Sequence, residues 1–483
     1  MQVRVGRFGT CLAGFALLLS GCSRFATNDG KGTAEETPRP AAWTRATARQ
    51  LTEAIANRAA HGLDRVRFES GGKSGSPDGD AGLTRAALAY ARALAEGASD
   101  PTKLYDIYTV PRPHPDLKSG LTGALQRGDV KGWLESLAPA DANYRRLSQA
   151  YLGIVQHAQA PAPVIPEEGK PITPGASDPR IPLIARQLIA MDYLDPKFAG
   201  ARRYSPPMVA AVRSLQAQYG IKPDGVIGPQ ALTIMTLSDA DRARAIAVAM
   251  ERLRWLDRAP PPTRIDVNLA AARLTYWRDG KIADTRKVVV GEPDKETPQL
   301  GSPVFRLVAN PSWTVPRSIQ QGELADKDDS YLRTQNMVWK DGWIVQQPGP
   351  KNSLGLVKFD MANDQAIYLH DTPAKALFDT VQRQRSHGCV RVADALGFAA
   401  LLARDEGIAE DWQAARDTGE ETFVKLPRRI PVRLLYQTVL FGDDGGLIIR
   451  NDPYAWNDRV AIALGFAASD AMGLKANGGD LGP

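Results

Sequence analysis

Cysteine is nearly missing from this sequence of 483 residues, which holds only Cys11, Cys22 and Cys389. That scarcity excludes a small disulfide-stapled scaffold, and a chain this long can bury two or three ordinary cores instead. Long apolar runs are missing outside the N-terminal stretch, so no other segment is apolar enough to span a membrane as a helix. Neither charge sign dominates: 60 Lys and Arg stand against 54 Asp and Glu, for a net charge of +6. The two signs are interleaved, which describes a solvated mixed surface and gives no support to a nucleic-acid partner. Histidine is sparse, with five residues, and His61, His114 and His157 are scattered without ligand spacing.

What the sequence does carry begins at its N-terminus. Arg4 and Arg7 precede an apolar run from Phe8 to Leu19. These are the charged and apolar regions of an export signal, too short to span a bilayer as a helix. The run ends in Leu19-Ser20-Gly21-Cys22, which resembles the lipobox of bacterial lipoproteins. The resemblance implies a signal peptide over 1–21, lipidation of Cys22, and anchoring on the periplasmic side of a Gram-negative envelope. Ser23 points to the outer rather than the inner membrane. The alternative is a plain secretory signal with an incidental cysteine. On the lipoprotein reading Cys11 leaves with the signal and Cys22 is acylated, so Cys389 is the one free thiol of the mature chain. It is then either reactive or a small buried hydrophobe.

Composition and periodicity predict a multidomain α+β chain. Residues 22–45 read as a flexible tether. Residues 46–157 are a helical scaffold, with apolar stripes in Ala87, Leu88, Ala91, Leu94 and in Tyr144, Leu147, Tyr151, Ile154. A Pro-rich linker follows over 158–178. Residues 179–238 are compact and helical, with Met208, Val212, Leu215 and Tyr219 on one helical face, Gly220 as a stop and Pro229 at a new first turn. Val212, Leu215, Gln216, Gly220, Ile221, Asp224, Gly225, Gly228 and Pro229 resemble the pattern of a small peptidoglycan-binding module, in which the glycines and turn aspartate mainly specify the fold. A connecting helix spans 239–258. Residues 260–437 are mainly β, with strands expected at Ile265–Val267, Arg273–Trp277, Lys287–Val290, Phe305–Val308, Ile344–Val345, Ala366–His370 and Pro431–Tyr436. Helices are expected only near Pro373–Thr380 and Asp394–Arg404. A charged, aperiodic insertion at about 318–350 reads as a lid, and 438–483 as a C-terminal extension.

The chemistry concentrates between Tyr368 and Val392. In Tyr368-Leu369-His370-Asp371 a strand puts Tyr368 and His370 on one face, and in Cys389-Val390-Arg391-Val392 it puts Cys389 and Arg391 on a common side. A cysteine nucleophile needs a base or positive charge nearby, because the thiolate is the attacking species. Two of the five histidines, His370 and His387, lie within twenty residues of Cys389. Gly388 permits a tight turn with amide N–H groups free for an oxyanion, and Arg391 can hold a carboxylate.

His370, fifteen intervening residues and Ser386-His387-Gly388-Cys389-Val390-Arg391 resemble the signature of the L,D-transpeptidase (YkuD-type) catalytic domain. Asn310-Pro311-Ser312-Trp313, Pro348-Gly349-Pro350-Lys351-Asn352 and Tyr368-Leu369-His370-Asp371-Thr372-Pro373 extend the likeness. The order of anchor, scaffold, binding module and capped catalytic domain is similar to the large Gram-negative, YcbB-like members. The resemblance implies a sandwich-like catalytic domain with no cofactor. It makes Cys389 the nucleophile, His370 the base and the Asp371 carbonyl the orienter of the imidazole. Gly388 and Cys389 would supply oxyanion amides, His387 would support the turn or contact substrate, and Tyr368, Ser386 and Arg391 would contact the stem peptide. Donor tetrapeptide and acceptor amine would be the substrates, and carbapenems covalent inhibitors. Three rivals stay open: zinc on His370, His387 and Cys389; a non-catalytic tether between membrane and wall; and the same site used as a carboxypeptidase, an amidase or a protein-anchoring enzyme.

Overall fold

Polar caps fix where the helices of the N-terminal third begin. Thr44 and Thr47 form a reciprocal capping box at Arg45–Ala56. Ser76, Asp116 and Asp129 accept backbone N–H groups at Pro77–Ala95, Leu117–Arg127 and Val130–Leu137. These helices and Ala142–Gln156 bury Leu51, Leu83, Ala87, Tyr90, Leu121, Leu134, Leu147 and Tyr151, so the predicted stripes form a core. The structure, a computed structural model, describes residues 42–69, 74–156, 165–166, 168–442 and 445–469. The expected signal over 1–21, Cys22, most of the tether, His157, part of the linker and the end of the C-terminal extension lie outside the described residues. Among the described residues no helix is long and apolar enough to cross a membrane.

The next unit contains the helices Ile181–Ala190, Pro206–Gln218 and Pro229–Thr236. Met208, Val212, Leu215 and Tyr219 are all buried. Gln216 explains its place in the motif: its side chain bonds Asp224 and the Val226 carbonyl and accepts the Gly225 N–H, which holds the turn closed.

Asp239–Arg254, begun by a Ser238–Asp241 capping box, is the central post of the molecule. Its Glu251 and Arg254 are paired at 2.6 Å with both side chains fully buried. Glu251 also accepts the N–H and hydroxyl of Ser99, each at 2.6 Å, while Arg254 donates to the His61 carbonyl and the Tyr144 hydroxyl. A buried pair is tolerable only when its remaining valences are satisfied in this way; here they attach the scaffold to the post.

The C-terminal half is built on strands β1 Arg264–Asn268, β2 Arg273–Arg278, β3 Lys281–Gly291, β4 Gly301–Ala309, β5 Trp313–Thr314, β6 Met337–Lys340, β7 Trp343–Gln346, β8 Val357–Met361, β9 Leu369–His370, β10 Gln384–Ser386, β11 Val390–Val392 and β12 Thr422–Leu435. Nine of them form one sheet in the order β10-β3-β11-β9-β8-β4-β12-β1-β2, and β2 also pairs with β3, closing the ring. Phe398, on the helix Ala395–Asp405, packs its ring against Tyr276 and Phe359 and covers one face.

The strand expected at Ala366–His370 is shorter than its sequence suggests. The Asn363 side chain bonds the Gln365 and Ile367 N–H groups and the Ile367 carbonyl, holding a turn with Ala366 at φ 53°. The helix expected near Pro373–Thr380 is a single 3-10 turn, Lys375–Asp379. A helix at Ala409–Asp417 was not expected, because it buries little beyond Trp412 and Ala415. The capping insertion is more ordered than its charge implies. Strands β5-β7-β6 and two short helices enclose their own core of Trp313, Val315, Ile319, Leu324, Leu332, Met337, Ile344 and Leu354.

Candidate active site

The short strands β9 and β11 lie parallel and adjacent, with Leu369 opposite Val390 and His370 opposite Arg391. Since alternate side chains share a face, this register gathers Tyr368, His370, Cys389 and Arg391 on one side and buries Leu369, Val390 and Val392 on the other. Neighbouring β8 places Lys358 opposite His370. Lys358 lies 4.3 Å over the Tyr368 ring and 2.7 Å from Asp360, which in turn pairs with Arg306 at 2.5 Å. The result is a charged row across the sheet that ends at the thiol.

His370 is buried, and its Nδ1 lies 2.5 Å from the Asp371 carbonyl. A carbonyl can only accept, so the proton is on Nδ1 and Nε2 carries the lone pair. The Asp371 carboxylate is turned away, to the Leu356 N–H at 3.0 Å and to Lys375. Burial, then the positive charges of Arg391 and Lys358, lower the His370 pKa to about 3, against a partial opposing effect of the Asp371 carbonyl. Cys389 is half-buried, and burial raises its thiol pKa despite hydrogen bonding from Tyr368 and the charges of Lys358 and Arg391. Its sulfur bonds the Ala366 carbonyl at 3.6 Å and the Tyr368 hydroxyl. The ground state is therefore a neutral thiol and a neutral imidazole.

Burial also lowers the pKa of His61 in the scaffold, to about 4, with a further contribution from Arg254. Both histidines take up protons in the unfolded chain near 6.5 but resist doing so when folded. Their contribution to stability is thus complete above pH 6.5 and is lost as pH falls toward 4 and 3. Lowering pH from 7 to 5 is expected to remove about 2 kcal/mol per histidine at most. Urea titrations at the two pH values check this, and equal midpoints would contradict it.

The turn before Cys389 departs from expectation at two places. Ser386, expected to face substrate, is buried: its hydroxyl donates to the Cys389 carbonyl at 2.6 Å and accepts the Gly388 N–H at 3.2 Å. The expected pair of oxyanion amides is thereby reduced to that of Cys389, because the Gly388 N–H is used within the turn. Gly388 sits at φ +116°, where a side chain is strained. His387 points the other way and pairs with Glu323 of the capping insertion, which also lies 3.6 Å from Lys295. These residues border a groove of about 730 Å³, whose walls include Ile107 from the scaffold, Asp294, Glu296, Ile367 and Gly388. Among the described residues no three His, Cys, Asp or Glu side chains are grouped to hold a metal ion.

Residues 262–414 match the family model of the L,D-transpeptidase catalytic domain. This part of the chain is an L,D-transpeptidase domain. Residues 39–150 match a scaffold domain and 177–235 a "putative peptidoglycan binding domain". A "putative L,D-transpeptidase" of Haemophilus influenzae is 26% identical over 253 residues, 48% of this chain and 51% of that protein. The chain thus spans about half the length of the curated relative it matches. Among solved structures, the L,D-transpeptidase of Stackebrandtia nassauensis is 14% identical over 56% of this chain and 97% of its own, with a TM-score of 0.23. That of Xylanimonas cellulosilytica is 16% identical over 56% and 99%, with a TM-score of 0.20.

In this L,D-transpeptidase domain, sequence reasoning had overlooked Lys358 and Asp360. The alternation of Val357-Lys358-Phe359-Asp360-Met361 was the available signal, with the two apolar-flanked charges on the face of His370. The quoted motifs around the site have structural parts. Asn352 is buried and donates to the carbonyls of Pro311, Gln346 and Gln347, tying the capping insertion to the sheet. Tyr368 packs against the capping core, so it joins the lid to the thiol.

Proposed function

We propose that this protein is a cysteine-dependent L,D-transpeptidase that crosslinks peptidoglycan stems during cell-wall biogenesis. The observation that carries the reading is the common face of Tyr368, His370, Cys389 and Arg391, with the imidazole held in one tautomer by the Asp371 carbonyl. The Cys389 sulfur attacks the carbonyl of the third stem residue while His370 Nε2 takes the thiol proton. The oxyanion meets the Cys389 amide, and the amide bond to the terminal D-Ala breaks as His370 protonates the leaving amine. The thioester is then opened by the side-chain amine of an acceptor stem, which loses its proton through His370 back to the thiolate. Asp294 and Glu296 leave the adjoining groove, where Glu323 is paired with Lys295, with a net negative charge, which suits an amine-bearing acceptor. Carbapenems would acylate the same thiol. The binding module would hold wall polymer, and lipidated Cys22 would keep the chain at the periplasmic face of the outer membrane.

Incubation with a disaccharide-tetrapeptide tests the reaction by its products. The expected result is released D-Ala together with a crosslinked dimer joined through third-position residues. Tripeptide without dimer would assign the site to hydrolysis, and an unchanged substrate would overturn the reading.

A further inference from the structure

The C-terminal extension reaches the turn that carries Cys389 through a short series of buried hydrogen bonds. Thr297 is fully buried. Its hydroxyl accepts the Gly291 N–H at 2.8 Å and donates to the Gly388 carbonyl at 2.7 Å. The Gly291 carbonyl in turn accepts the Tyr454 hydroxyl at 2.5 Å, and the same hydroxyl lies against Thr297. Residues 291–297 form a loop so tight that a Cβ on Gly291 would stand 2.1 Å from the Lys295 carbonyl oxygen.

Tyr454 is itself held firmly. It stacks on Tyr436 and packs on Trp456, and its N–H donates to the Tyr436 hydroxyl. Buried Asp452 then accepts from the Tyr436 hydroxyl and from the N–H groups of Trp456 and Asn457. All of these residues lie beyond 414, where the match to the catalytic domain stops.

A peptide unit is planar and trans, so fixing the Gly388 carbonyl fixes the opposite direction of the Cys389 N–H. We propose that Thr297, braced by Tyr454 of the C-terminal extension, is a positioning residue that aims the Cys389 amide at the developing oxyanion. Gly388 has the freest backbone in the turn, and without this bond its peptide plane can rotate. The extension is thus part of the active site's support.

The proposal rests on the acyl-transfer reading, and carbapenem acylation of the full chain separates the two. Thr297→Val keeps the side-chain volume and removes both hydrogen bonds. It is expected to lower the maximal acylation rate constant about 10-fold to 100-fold, with inhibitor binding before acylation unchanged. Thr297→Ser should recover the rate to within about threefold. Tyr454→Phe should lose about threefold to tenfold, and add little in the double variant because both act through one peptide. Rates refer to the fraction of protein that reacts, which a loss of folding alone would leave unchanged. Should Thr297→Val fail to fold, Tyr454→Phe carries the test. Wild-type rates in the variants that fold, or no rescue by serine, would overturn the proposal; a wild-type chain that forms no adduct would overturn the underlying reading as well.

Discussion

Replacing Cys389 by alanine is expected to lower D-Ala release and crosslinking by at least about 10⁴-fold, with the fold retained. The loss is large because the remaining groups can bind and polarise a carbonyl but cannot form the acyl intermediate. Retention of the fold follows from the residue's surroundings. Cys389 is only half-buried, and its one backbone acceptor, the Ala366 carbonyl, is 3.6 Å away, so the truncation costs on the order of 1 kcal/mol. Cys389→Ser should be nearly as inactive. A hydroxyl is far harder to deprotonate than a thiol, and an imidazole with a pKa of about 3 is a weak base for it. Activity assays with circular dichroism on the same samples check both halves, and a variant that crosslinks normally would remove Cys389 from the chemistry.

His370→Ala should lower the acylation rate by about 10²-fold to 10⁴-fold near neutral pH and also change the shape of its pH profile. In the wild type, the base is already free at neutral pH because its pKa lies near 3, and the thiol stays protonated because burial raises its pKa. Proton transfer then accompanies attack, and the rate should be level from about pH 5.5 to 8. Without the imidazole only preformed thiolate reacts, so the rate should rise about tenfold per pH unit over the same range. A wild-type profile with an inflection near 6.5 would contradict the neutral pair.

The alternation of Tyr368-Leu369-His370 and of Cys389-Val390-Arg391 made the two halves of the site legible in sequence, because a strand's two-residue period is a local property. The parallel register that brings Leu369 beside Val390 was not legible, since tertiary packing sets it. Thr297 and Gly388 lie 91 residues apart, so their bond leaves no local trace. The direction of His387 was equally hidden: it depends on Glu323, on an insertion whose small apolar core is spread thinly between charges. Ser386 misled for a different reason. A hydroxyl beside a nucleophile invites a role toward substrate, but tight turns need side-chain partners for their own backbone groups, and Ser386 is spent there. In the binding module, sequence and structure coincide because Gln216, Asp224 and Gly225 interact within a few residues of one another.

Mass spectrometry of the protein during turnover tests the central claim most directly. With a tetrapeptide donor whose side-chain amine is acetylated, so that it cannot serve as acceptor, the chain should gain the mass of the donor less its terminal D-Ala. Peptide mapping should place that mass on Cys389 as a thioester, which hydroxylamine removes. D-Ala released from that donor with no adduct at Cys389, or with an adduct at another residue, would contradict the account.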